Sequence, residues 1–85
     1  MKNEIIALSA ASPTKFYAVQ KIVLPENQAE KLDKLGVFCG ITVKLEKVFG
    51  KKTFIFNADG AKIAVGKSVA DKILVKETCF NEKID

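Results

Sequence analysis

The stretch that most limits what this chain can fold into is Asp33 to Lys52, DKLGVFCGITVKLEKVFGKK, in which a helical spacing gives way to strict alternation across Gly36 to Gly40. Upstream, Pro25 and Glu26 suit a helix N-terminus: proline there lacks only a donor that would be unsatisfied anyway, and glutamate meets the positive end of the dipole. Ala29, Leu32 and Leu35 then recur at i, i+3 and i+6, predicting one narrow apolar stripe. Glu30 and Lys34 are placed for an i, i+4 ion pair. Gly36 follows the last apolar residue, where a left-handed residue ends a helix. Downstream of Gly40, Ile41, Val43 and Leu45 alternate with Thr42, Lys44 and Glu46, the pattern of a strand buried on one face. Val37, Phe38 and Cys39 are left as a connector with a glycine corner at each end.

The rest of the chain reads as short strands and tight turns. Phe16 to Leu24 is rich in aromatic and β-branched residues and predicts the first strand, entered through a turn at Pro13. "FGKK", with Gly50, is a turn, and "TFIF" after it puts Phe54 and Phe56 on one face. "NADG" carries hairpin chemistry, because Asp59 and Gly60 tolerate the positive φ that a tight turn needs. "AKIAV" returns with Ala61, Ile63 and Val65 facing inward. "GKSVADK" suits one helical turn with Ser68 as N-cap and Asp71 three residues on. "ILVKE" closes the structure, and a polar tail over about 78–85 is expected to fray. The expected fold is mainly β. It is a small SH3-like five-stranded β-barrel with one inserted α-helix and a short helical turn before the last strand, a single domain over 1–85.

Composition narrows the function classes. With 85 residues there is room for one small core, and a chain of that size often gains from a partner or from self-association into a homo-oligomer. The net charge is +4, and all 14 basic residues are lysine. Without arginine the bidentate reading of phosphates and bases is lost, so the balance favours an acidic protein partner over nucleic acid. Cys39 and Cys79 have no CxxC spacing and no histidine to join them, which predicts free thiols and no metal site within one chain. Ile5 to Ala11 follows a glutamate and is at the lower length limit for a signal-peptide core, and no run approaches a membrane span, so no direct membrane insertion is expected. Nothing suggests an enzyme or a cofactor. There is no histidine to act as base near neutral pH, and Ser68 and Thr53 have no activating neighbour. "GKS" at 66–68 lacks the upstream glycine of a phosphate-binding loop, since position 61 is Ala61.

The ordered set Leu32, Leu35, Gly36, Val37, Gly40, Val43, Phe49, Gly50, Ile63, Ala64, Val65, Ala70, Ile73 and Val75 resembles the FeoA family of bacterial ferrous-iron uptake. The likeness covers about residues 8 to 76, with departures at Cys39, at Lys51–Lys52 and at Gly66. It implies a non-enzymatic cytoplasmic accessory protein acting on the membrane ferrous-iron transporter of the FeoB type, which carries a GTP-binding domain. On that reading Val37, Phe38 and Phe49 are the candidate apolar contacts, and Lys51 and Lys52 a basic rim. Gly36, Gly40, Gly50 and Gly60 are structural turns. Two other readings stay open: a self-assembling scaffold, including a dimer holding a metal through Cys39 or Cys79, and a small nucleic-acid-binding barrel.

Overall fold

The computed structural model describes residues 4–78. Strand β1 (Ile5–Ala7) leads into a 3-10 turn (Leu8–Ala10), followed by β2 (Phe16–Ile22), helix α1 (Glu26–Lys34), β3 (Thr42–Phe49), β4 (Thr53–Ala58), β5 (Ala61–Gly66), α2 (Lys67–Ala70) and β6 (Ile73–Thr78). All strands join one antiparallel sheet in the order β1-β6-β2-β3-β4-β5. The fold is mainly β and SH3-like, with the helix inserted after β2 and the short helical turn before β6. It differs from expectation in having six strands and an open sheet, β1 and β5 being its edges. The added strand β1 has three residues, too few for a period to show, and it pairs with β6 at Ile5↔Lys76 and Ala7↔Leu74. Thr78 is the last residue of β6, opposite Phe16, and so is part of the sheet. The remainder of the expected tail, with Cys79, lies outside the described residues.

One cluster of buried side chains draws on every strand from β2 to β6, on both helices and on the 3-10 turn, so the sheet curls around a single core. Phe56, Leu8, Leu45, Ile73, Val19, Val37, Val43 and Val75 are its largest fully buried members. Two bulges provide the curl: the register shifts between Val19 and Lys21 against β6, and between Leu45 and Lys47 against β4. The second bulge decides where the end of β3 points. Strict alternation from Val43 and Leu45 would bring Lys47 and Phe49 inward. With Glu46 as the extra residue, Val48 takes the inner place opposite Phe54, while Lys47 and Phe49 face out opposite Ile55 and Thr53. The carbonyl of Leu45 beside the bulge accepts a bond from the Thr14 N–H at 2.8 Å.

The two hairpins turn on residues with positive φ. β4 and β5 are joined by Asp59 (φ 53°) and Gly60 (φ 92°), and the Asn57 Oδ1 accepts the Gly60 N–H at 2.8 Å. β5 leaves that turn with Ala61 exposed, so of its three expected inward residues Ile63 is buried and Val65 half-buried. At α2 the N-cap is Gly66, not Ser68, and no side chain caps it. Asp71 has a different role. It accepts a short hydrogen bond from the Ser9 hydroxyl and pairs with Lys67 at 3.1 Å, tying the 3-10 turn to the α2 turn.

These contacts give a pH signature. The Ser9 hydrogen bond first, then Lys67, hold the Asp71 carboxyl below the ordinary carboxylate range. A carboxylate whose pKa is lower folded than unfolded contributes stability fully above its unfolded pKa, and that contribution disappears as pH falls through the folded value. Because the group is exposed, the effect is small. Asp71→Asn should therefore be less stable than the parent at neutral pH, and the two should converge as pH falls below the ordinary aspartate range and through the lowered folded value. Chemical denaturation across a pH series measures the difference; a gap that widens on acidification would contradict this account.

Candidate functional site

The corner after α1 is built from two backbone devices. Leu35 caps the helix, and the Gly36 and Val37 N–H groups bond back to the Asp33 and Leu32 carbonyls at 3.0 and 2.8 Å, with Gly36 at φ 99°. This is a Schellman motif, which usually joins the residue after the glycine to the apolar residue three before the cap. Here those residues are Val37, 0% exposed, and Leu32, both in the core. The second device is a turn from Phe38 to Ile41. The Ile41 N–H bonds to the Phe38 carbonyl at 3.2 Å and Gly40 stands at φ 97°, the position in a type II turn that demands glycine. The Gly40 N–H also reaches the Val19 carbonyl at 2.8 Å, anchoring the corner to β2.

These devices sort the candidate contacts. Val37 is locked into the core, so its side chain cannot meet a partner; that expectation is corrected. Phe38 lies between the two pinned glycines and is 47% exposed, with Cys39 beside it as an exposed free thiol. Phe49 is 52% exposed at the other end of β3, followed by a turn in which Gly50 (φ 57°) and Lys51 (φ 59°) are both left-handed. Lys51 and Lys52 are exposed there. The Lys47 ammonium sits 5.5 Å from the Phe49 ring centroid, within cation–π range. Along the same outer face Lys44 sits 5.5 Å from the ring of Phe16. β3 spans roughly 20 Å at the usual strand rise. Phe38 and Phe49 thus mark two separate surfaces.

Other expectations change as well. Leu35, read as part of the buried helix stripe, is 55% exposed, while Leu32 carries the helix onto the core. Ion pairs among the described residues join Lys15 to Glu77, Lys62 to Glu46 and Lys67 to Asp71; Glu30 and Lys34 do not pair. No group of three His, Cys, Asp or Glu side chains gathers as a metal site among the described residues. Nor is any described helix long and apolar enough to cross a membrane.

The FeoA domain model matches residues 6–77, nearly the whole of the described chain. The chain belongs to the FeoA family. Membership indicates an accessory role in ferrous-iron transport, in a family of accessory proteins rather than enzymes. Solved structures share the FeoA fold. A crystal structure of an iron uptake regulatory protein (FeoA) is 24% identical with a TM-score of 0.79, over 88% of this chain and 99% of that one. The FeoA protein from Chlorobium tepidum is 18% identical with a TM-score of 0.82, over 91% of this chain and 74% of that one. ScaR with bound Zn2+ is 18% identical with a TM-score of 0.77, and the FeoA-like fold matches only 38% of its chain. No curated protein matches the chain in sequence.

Proposed function

We propose that this member of the FeoA family is a cytoplasmic, non-enzymatic regulator that binds a FeoB-type membrane ferrous-iron transporter and biases its conformation by preferring one state. One observation supports the reading above the others: Phe38 is held out of the core on a corner pinned at both ends by glycine backbone and by the burial of Val37. An aromatic side chain presented on a rigid support loses little entropy on binding, and such anchors dominate protein interfaces. Phe49, with Lys51 and Lys52, is a second contact at the opposite end of β3, where unpaired lysines speed encounter with an acidic surface.

Phe38→Ala should weaken binding to the transporter by about 1–3 kcal/mol, roughly 5- to 150-fold. The exposed ring adds little to the core, so stability should stay within about 0.5 kcal/mol. Calorimetric titration into detergent-solubilised transporter, with a melting curve of the variant, measures both. A folded variant that binds as tightly as the parent would rule out Phe38 as the anchor.

A further inference from the structure

Strand β5 is an open edge of the sheet, and helix α1 stands across from it. Between them lies a groove of about 320 Å³ lined by Leu24, Leu32, Leu35, Val65 and Val69, with Lys31 on its wall. We propose that this groove binds an extended peptide segment carrying alternating apolar and acidic residues, which adds to β5 as a further strand.

The backbone argues for a strand as occupant. Ala58 and Ala61 close a two-residue hairpin, so they form a hydrogen-bonded pair, as do Phe56 with Ile63 and Phe54 with Val65. The intervening residues Lys62, Ala64 and Gly66 therefore direct their N–H and C=O groups away from β4. The Gly66 carbonyl starts α2, and no strand or turn among the described residues bonds to the outward groups of Lys62 and Ala64. Ala64 lines the groove, so unpaired backbone groups and apolar side chains meet in one place. A strand entering between a sheet edge and a helix uses main-chain bonds for affinity and side-chain pockets for specificity. Natural edges are usually blunted by proline, a bulge or charged side chains, lysine above all. β5 has neither proline nor bulge, and its one charge, Lys62, is engaged by Glu46 at 3.4 Å on the outer face.

Charge selects the sequence of the occupant. Lys31 is the one charged residue of the lining and takes part in none of the ion pairs among the described residues. Lys34, on the last turn of the same helix, is also without one. A second copy of this chain would bring a net charge of +4 to the same place, whereas carboxylates are attracted. The proposal rests on the groove alone and is independent of the Phe38 contact.

The probe is the peptide acetyl-Glu-Val-Glu-Leu-Glu-Val-Glu-amide, titrated into isotope-labelled protein while backbone amide shifts are followed. Shifts confined to Lys62–Gly66 and Gln28–Leu35 are expected, saturating below about 1 mM. A peptide with lysine in place of each glutamate should bind at least about threefold more weakly, and Lys31→Glu should reverse that order. Ala64→Pro removes an outward donor without touching the β4 ladder, an edge change that strands tolerate, so it should abolish binding and leave the fold intact. The proposal is overturned by shifts located elsewhere, by no binding at about 1 mM, or by a folded Ala64→Pro variant that binds normally. If Ala64→Pro does not fold, Lys31→Glu decides alone. A concentration-dependent dimer mass with shifts at β5 in the absence of peptide would assign the edge to a second copy and overturn it too.

Discussion

Phe56→Ala is expected to lower the unfolding free energy by about 3–5 kcal/mol, the range for an aromatic side chain removed from a packed core. Phe56 is fully buried in β4, flanked by Leu45 of β3 and Ile63 of β5 in the ladder. The site has little freedom to collapse, because the neighbours on both sides are pinned by the sheet. A domain of this size has a total stability near the lower end of about 5–15 kcal/mol, so the variant should be partly unfolded at room temperature. Denaturant unfolding of parent and variant provides the measurement. A loss of about 1 kcal/mol or less would mean that the sheet does not close around this residue as described.

The second large effect lies at the corner. Gly36→Ala and Gly40→Ala should each cost about 1–3 kcal/mol, since φ near 99° and 97° is unfavourable for any residue with a Cβ. Outside the adjacent residues no atom lies within 4 Å of a Cβ built at either position, so the cost is backbone strain and not collision. The two substitutions should also differ. Gly36→Ala disturbs the helix cap and the burial of Val37, whereas Gly40→Ala disturbs the Phe38–Ile41 turn and its bond to Val19. Gly40→Ala should therefore reduce transporter affinity more, per unit of stability lost, because it frees Phe38 directly. Equal stability for either alanine variant and the parent would show that the corner does not require glycine.

The corner was also the most legible part of the sequence. A helical stripe ending before Gly36 and an alternating run starting after Gly40 left a connector too short for anything but two tight turns. What remained hidden followed from context. Val37 lies outside both periods and so reads as surface, yet the Schellman motif turns it back onto the core beside Leu32. Leu35 continues the helical spacing and so reads as inward, but it occupies the cap, where the helix is already leaving the core. Phe49 faces out only because Glu46 is an extra residue. "LEKVF" holds the trace of it, since the alternation puts Lys47 where an apolar residue belongs and Val48 where a polar one does. β1 is three residues long and has no signal of its own. The groove beside β5 depends on a helix and a strand distant in the chain, and no local pattern could place them together.

The most direct test is an amide-shift titration of isotope-labelled protein with its cognate ferrous-iron transporter in nanodiscs, first with GDP and then with a GTP analogue. The account predicts localised changes from Val37 to Lys52, strongest at Phe38 and its neighbours, with a different affinity in the two nucleotide states. Saturable binding with the Phe38 and Phe49 regions unperturbed, or no shift at about 0.1 mM transporter, which places the binding free energy weaker than about −5.5 kcal/mol, would contradict it.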